Sequence, residues 1–327
     1  MRILLTGGTG FIGTALAEAL LSSGCELIIL SRGVQTGVQT GVQSAAHADR
    51  TGCRFIRSLD EIAATEPLDA VINLAGASLA ARRWSPGYKR EIVASRTGIT
   101  RQLLDLFARL ECPPEALLSA SAIGYYGPHG DEYLTETSAL SSSTSAQGGF
   151  AQRLCSDWEA LALQANQYGV RVCLLRLGVV LDSGGGALLE MAKSFRFGVA
   201  SWLGSGEQWL SWVHRLDVVR AIQFLLQRDD LQGPFNITGP VPVTGRDFAL
   251  ALQAHHRTFL RAGVPATVLR VLVGEMADEL LLSGQRVLPH ALESAGFTFS
   301  YPSIQGALAA IYADHVALRI HSSSRQA

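Results

Sequence analysis

Short apolar runs alternate with amphipathic stretches through the first half of the chain, and that rhythm predicts crossover units around a sheet. Ile3, Leu4 and Leu5 form an unbroken apolar run, the pattern of a parallel strand covered on both faces. A glycine-rich turn follows. Phe11, Ile12, Leu16, Leu20 and Leu21 then recur at helical spacing until Ser22-Ser23-Gly24 stops them. Glu26 to Leu30 predicts a second strand. Further strand signals lie at Cys53–Ile56, Ala70–Leu74, Ala116–Ser119 and Val170–Leu177, with helical patterns over about 86–110 and 150–168 between them. Strands alternating with helices imply an α/β fold with a doubly wound parallel sheet.

The texture changes after about residue 178. Gly184-Gly185-Gly186 and Gly204-Ser205-Gly206 appear together with several Trp and Pro residues, which predicts a second, smaller α/β domain. The expected division is 1–177 and 178–312, with some later strands returning to the first sheet and a tail at 313–327. Residues 33–43 are nearly three copies of Gly-Val-Gln-Thr, too short for a solenoid and without a helical stripe. Composition reads the stretch 33–50 as a flexible loop insert after the second strand.

Composition narrows the function classes. With 327 residues, 48% of them hydrophobic, the chain can bury a large core. Charge is balanced at 27 basic against 28 acidic residues, so nothing in it favours nucleic acid or a membrane surface as a partner. The five cysteines are scattered with no CxxC pair, which speaks against a disulfide framework or a metal site and fits a reducing, cytoplasmic setting. No secretory leader or bilayer-spanning run is expected. The oligomeric state has no signature in the sequence.

The turn Thr6-Gly7-Gly8-Thr9-Gly10-Phe11-Ile12-Gly13 carries the most specific chemistry. Gly7, Gly10 and Gly13 are spaced GxxGxxG between a buried strand and an amphipathic helix, where a Rossmann fold places its dinucleotide loop. The first glycine allows a tight turn, the second lets the backbone approach a pyrophosphate, and the third permits close helix–strand packing. The helix start offers N–H groups and the positive end of its dipole to the phosphates. The second strand ends at Ser31-Arg32, with no Asp or Glu before residue 49. A carboxylate for the ribose 2′-OH of NAD is missing, and a guanidinium that can hold a 2′-phosphate is present. NADP(H) is therefore favoured over NAD(H).

Together with that turn, Asn73-Leu74-Ala75-Gly76, Ser119–Gly127, Leu175–Leu181, Gly204–Trp209, Gly274-Glu275-Met276-Ala277 and Leu282–Pro289 resemble the extended short-chain dehydrogenase/reductase superfamily. Within it, the chain is similar to the epimerase-like family described as NAD(P)-dependent epimerases or as cell-division-inhibitor-like proteins, over about residues 1–310. The resemblance implies that Gly7, Gly10, Phe11, Ile12 and Gly13 line the pyrophosphate and that Arg32, beside Ser31, meets the 2′-phosphate. It places Leu74, Ala75 and Gly76 beside the cofactor ribose. It also implies that Ser121, with Tyr125 or Tyr126, faces the nicotinamide; aligned on Tyr126-Gly127, the usual serine position falls on Ala122.

The superfamily's Tyr-x-x-x-Lys pair is absent. At its expected place the sequence reads Phe150-Ala151-Gln152-Arg153-Leu154, and a phenylalanine cannot transfer a proton. Tyr125 and Tyr126 are candidate replacements for the phenol, and Asp131, Glu132 and Glu136 are candidate bases. Arg82, Arg83 and Trp84 follow a strand end, where open α/β sheets bind ligands, and with Trp209 and His214 form the candidate substrate set. Cys155 has the chemistry of a nucleophile but no visible base. Asn236 reads as structural.

Two functions of different kind remain open at this point. One is an NADP-dependent oxidoreductase or epimerase of atypical mechanism acting on a small polar, sugar-like substrate, with a dehydratase as its variant. The other is a non-catalytic NADP-binding regulatory or partner-binding protein.

Overall fold

The computed structural model describes residues 1–31, 52–141 and 149–323. The expected insert at 33–50 and Arg32 lie outside the described residues. Seven strands form one parallel sheet: β1 (Arg2–Thr6), β2 (Glu26–Leu30), β3 (Cys53–Ile56), β4 (Ala70–Asn73), β5 (Ala116–Ala122), β6 (Arg171–Leu177) and β7 (Gly233–Ile237). Their order is β7-β6-β5-β4-β1-β2-β3. From β1 the chain builds outward through β2 and β3, then returns to the other side of β1 with β4. That reversal makes the carboxyl ends of β1 and β4 the switch point where doubly wound sheets bind ligands.

The register follows from burial on both faces. Leu4 pairs Ile28 on one side and Val71 on the other, and Val71 pairs Leu117. These four pack with Leu103, Leu106 and Phe107 of helix α3 (Ile99–Arg109) in one buried cluster. Each such side chain contributes roughly 1.5–3 kcal/mol on leaving water. A shift of one residue would turn all of them to the opposite face, so the register is tightly specified.

Helix α1 (Phe11–Ser22) matches its pattern, and Gly24, at φ +78°, turns the chain toward β2. The single helix expected over 86–110 is interrupted. Helix α2 (Pro86–Val93) and α3 are joined by a wider π turn at Ala94–Gly98. Thr97 and Thr100 donate their hydroxyls back to the carbonyls of Val93 and Arg96, and Gly98 lies between them. Such back-bonding competes with the regular ladder and marks where it yields. Helix α4 (Phe150–Ala162) continues in a tighter turn to Tyr168 and stops at Gly169, φ +77°.

Two compact units emerge, and neither is continuous in sequence. The first comprises 1–125, 151–176 and 219–235 and holds nearly all of the large sheet. The second comprises 126–150, 177–218 and 236–327. The chain therefore crosses between units at 125, 150, 218 and 235 as well as near 177, the single boundary expected. Segment 219–235 returns because β7 extends the sheet beside β6. The second unit has its own core of Leu181, Phe195, Trp212, Phe248, Leu252 and Leu308 among others. Its strands are short: Trp212–His214 pairs in parallel with Val179–Asp182, Val199–Leu203 with Leu260–Val264, and Arg286–Val287 with Tyr133–Leu134. Among the described residues no helix is long and apolar enough to cross a membrane, and no group of His, Cys, Asp and Glu is placed to hold a metal ion.

Candidate functional site

The glycine turn is shaped by close approach. Gly7 has φ +71°, and a Cβ there would lie 2.5 Å from the carbonyl oxygen of Leu74, so only glycine lets the turn rest against the Leu74-Ala75 backbone. Two segments expected to share a ligand thus lie side by side. A Cβ on Gly13 would fall 2.1 Å from the Gly7 oxygen, which fixes α1 tightly onto the turn. Gly10 differs. It is exposed, its N–H donates to the Gly7 carbonyl at 2.9 Å, and a Cβ there would meet only that oxygen, at 3.2 Å. No side chain caps the start of α1. The turn therefore presents an open backbone face at the positive end of a 12-residue helix.

Beside it, a polar row runs across the sheet where the apolar pattern breaks. Thr6, Asn73 and Ser119 are in register on β1, β4 and β5. Asn73 accepts from the Thr6 hydroxyl at 2.6 Å and donates to Thr100 at 3.2 Å and Ser119 at 3.3 Å. Trp158 donates its indole N–H to the same Thr100. This buried network fixes the strand end from which Leu74-Ala75-Gly76 departs. Arg96, on the π turn, lies against Gly76: a Cβ there would come within 3.1 Å of the guanidinium carbon. Arg96 donates to the carbonyls of Ala77 and Ile92, and burial draws its pKa below the ordinary guanidinium value. A cation thus stands next to the predicted ribose segment.

A third cluster sits at the end of β5. Ser121 donates to Glu159 Oε1 at 2.6 Å, and Arg176 grips both oxygens of that carboxylate, Nε to Oε1 at 2.9 Å and Nη2 to Oε2 at 2.8 Å. Arg176 is 3% exposed and Glu159 5%. The Arg176 guanidinium carbon also lies 3.5 Å from the centre of the Tyr125 ring. An ionised carboxylate only accepts, so the Ser121 proton is committed to Glu159 and the serine oxygen keeps acceptor capacity. Cys155, one helical turn before Glu159, is pushed up to about 11 by burial and then by the Glu159 charge. It stays a thiol, which removes it as a nucleophile.

Several expected residues are occupied elsewhere. Tyr126 is fully buried and donates to Asn236 Oδ1 at 2.7 Å, a bond that braces the fold. Tyr125 is half-buried and lies against Arg176, which holds the carboxylate that Ser121 bonds. Leu154 is buried and Phe150 partly so, which leaves the Tyr-x-x-x-Lys positions apolar. Trp84 turns inward and donates to the Leu79 carbonyl, while Arg82 and Arg83 are exposed. In the second unit, His214 is buried, accepts from the Leu216 N–H at 3.1 Å and packs on Tyr301 with ring centres 4.0 Å apart. Trp209 donates to Asp131 at 2.8 Å. Glu136 accepts from the backbone N–H groups of Asn236 and Ala291, and burial raises its pKa; it ties three segments together. Glu132 is exposed and pairs with His129 at 3.1 Å. Ser31 is buried, its N–H on the Ile56 carbonyl.

The sheet order, the glycine turn and the family's sequence pattern agree. The NAD-dependent epimerase/dehydratase family model matches residues 3–238, and a domain of unknown function, DUF1731, matches 264–311. The chain belongs to the epimerase/dehydratase family. It is 38% identical over 306 residues to an epimerase family protein of Mycobacterium bovis, Mb2239, covering 94% of this chain and 96% of that protein. To the Staphylococcus aureus epimerase family protein SAR0825 it is 34% identical over 311 residues, covering 94% and 97%. Among solved structures, it is similar to the human epimerase family protein SDR39U1 (isoform 2), crystallised with NADPH. The TM-score there is 0.81 at 30% identity, over 95% of this chain and 99% of that one. A nucleoside-diphosphate sugar epimerase from Corynebacterium glutamicum gives a TM-score of 0.72 at 28% identity; this chain spans 58% of its length.

Glu159 and Arg176 are absent from the site residues read from the sequence, though a signal for them exists. Glu159 falls on the buried face of α4 with Cys155 and Trp158, and Arg176 interrupts the apolar strand Val172–Leu177. Two opposite charges, each on an apolar face, point to one another. Ser95-Arg96 reads in the sequence as a helical support for the Arg82–Trp84 site, and the structure places Arg96 against Gly76.

Proposed function

We propose that this epimerase family member binds a nicotinamide dinucleotide on the Thr6–Gly13 turn and prefers NADP(H) to NAD(H). In this reading it acts as an oxidoreductase or epimerase on a small polar, sugar-like substrate without the Tyr-x-x-x-Lys pair. The observation that carries the reading is the glycine turn, where Gly7 and Gly13 are filled by close backbone contacts and Gly10 alone is open, at an uncapped helix start. That cradle fits a pyrophosphate, whose oxygens would take the first N–H groups of α1. Leu74, Ala75 and Gly76 would border the ribose, with Arg96 behind Gly76. The preference for NADP(H) rests on Arg32 after Ser31, on the lack of a nearby carboxylate in the sequence, and on the NADPH bound by the human relative.

When bound, the nicotinamide supplies the hydride acceptor or donor. The chain's part is to position. Glu159 holds the Ser121 proton, so the serine oxygen is fixed as an acceptor toward a substrate hydroxyl. Tyr125, backed by Arg176, offers the nearby phenol. Both act from the end of β5, on rigid elements.

The apolar Phe150 and Leu154 favour one second reading, a dinucleotide-binding protein that performs no hydride transfer. Calorimetric titration of NADPH and NADH against the wild type and Arg32→Ala tests the cofactor assignment. Tighter binding of NADPH, with most of that preference lost in the variant, supports it; binding of neither nucleotide overturns it. Exchange of label at C4 of the nicotinamide then separates the enzyme from the non-catalytic protein.

A further inference from the structure

Arg286, in the second unit, lies against two aromatic rings, and among the described residues its guanidinium has no hydrogen-bond partner. Its guanidinium carbon lies 3.8 Å from the centre of the Tyr133 ring and 3.9 Å from that of Trp209. Both rings therefore lie within cation–π reach of one guanidinium, and neither ring face takes up its N–H groups as a conventional hydrogen bond would. The backbone is pinned as well. Arg286 pairs with Tyr133 in the short parallel ladder. Ser211 bridges its two neighbours, donating to the Gln285 carbonyl at 2.7 Å and accepting from the Val287 N–H at 2.9 Å. A Cβ on Gly284 would lie 2.1 Å from the Trp209 carbonyl oxygen, so a glycine two residues upstream brings this segment against Trp209. Trp209 is itself anchored by its N–H on Asp131.

Against this positioning stands an unused donor set. Among the described residues, none accepts a hydrogen bond from the Arg286 guanidinium, no carboxylate pairs with it, and its Nε is buried without a partner. Leaving a buried donor unpaired costs about 1–3 kcal/mol, more for a charged group. Contact with two rings attracts the cation. It does not satisfy the N–H groups, which lie in the plane. A flat, preorganised fork with free in-plane donors matches an oxyanion with two oxygens side by side.

We propose that Arg286 is a substrate-recognition residue that binds an oxyanion group, phosphate or carboxylate, through its unpartnered N–H groups, with Tyr133 and Trp209 holding the guanidinium in place. This deepens the reading of a small polar substrate and rests on it, by making that substrate anionic. Trp209, expected from sequence to touch substrate, then acts through Arg286 as a positioning residue.

The Nε–H resonance of Arg286 in a nitrogen-15 correlation spectrum of the full chain, assigned by its loss in Arg286→Lys, reads the site directly. Inorganic pyrophosphate and glucuronate are the two probes, titrated separately. The inference expects a saturable shift of this resonance with at least one of them, and the probe that saturates at lower concentration names the group. Trp209→Leu, which removes one of the two rings, should weaken that binding about tenfold or more, while Arg286→Lys, titrated by calorimetry with the same probe, should weaken its binding with NADPH binding unchanged. If the Arg286 resonance ignores both probes, the residue is only a packing cation and the inference falls. NADPH titration is read separately on the same sample, so failure of the cofactor reading and failure of this one remain distinct.

Discussion

Cutting the Glu159–Arg176 pair from one side strands a charge where water scarcely reaches. The closest N···O distance is 2.8 Å and both side chains are almost fully buried. At an effective dielectric constant of about 20, the gross attraction at that distance is roughly 6 kcal/mol. Desolvation of the two ions opposes it by several kcal/mol each, so the pair adds little net stability over an apolar pair of similar volume. The asymmetry is what matters. Glu159→Met removes the carboxylate that Arg176 holds by two hydrogen bonds and frees Ser121, and Arg176→Met takes both of those donors from Glu159 while Ser121 stays. Each should cost about 3–5 kcal/mol. The double variant removes both charges together and should cost less than either single change, with the lost Ser121 bond as its main penalty, about 1 kcal/mol. Urea unfolding of all four proteins, followed by circular dichroism and tryptophan fluorescence together, measures this and tests whether the transition is cooperative. A double variant that loses the sum of the two singles would refute the argument, because it would mean that the charges act independently. Nucleotide affinity should survive in all four proteins, since the pair does not touch the glycine turn.

Gly10→Ala should leave folding stability within about 1 kcal/mol of the wild type, because φ −83° suits alanine and the new methyl meets only one oxygen. It should nevertheless cut dinucleotide affinity at least about tenfold by filling the cradle, whereas Gly13→Ala should lower thermal stability first; paired melting curves and titrations check both. With a thiol-reactive dye at pH 8, exposed Cys112 should be labelled rapidly in the folded protein, and Cys155 and Cys173, each pushed up to about 11 mainly by burial, should be labelled only after denaturation. Burial lowers the pKa of His255 and His256 below 6.5, the latter also facing the charges of His255 and Arg196. The unfolded chain therefore binds more protons than the folded one as pH falls. Their contribution is present above about pH 6.5 and is lost as pH drops through the lowered folded values. Midpoints of unfolding from pH 8 to 5 should fall, and less steeply in His255→Asn/His256→Asn.

Much of the sheet was legible because parallel strands covered on both faces leave short, uniform apolar runs. Glu26–Leu30 and Cys53–Ile56 have the ends that their patterns predict. The glycine turn was legible for a related reason, since its spacing encodes close backbone approach. What sequence could not give was the use of polar groups across long separations. Tyr126 reads in the sequence as a reactive phenol, yet its O–H donates to Asn236, 110 residues later. His214 looked available until Tyr301 lay against it. Trp209 and Arg286 make sense only with Tyr133, and no local pattern brings 133, 209 and 286 together. The interruption of the helix at Ala94–Gly98 was equally hidden, since propensity allowed a continuous helix and threonine back-bonding decided against it.

The ladder between Tyr133–Leu134 and Arg286–Val287 has a meaning for biosynthesis. A ribosome adds residues from the N-terminus, and a strand waits unpaired until its partner leaves the exit tunnel. The large sheet lacks nothing once β7 has emerged, near residue 237. Residues 133–134 wait for about 150 more, roughly 8–30 seconds at 5–20 residues per second. During that interval the first unit has its core and the second has neither its last helix nor the segment that carries Arg286. A nascent chain stalled before residue 286 would therefore expose the apolar face of Trp212 and Phe195 to chaperones, with the glycine turn long since made and the Arg286 segment still to come.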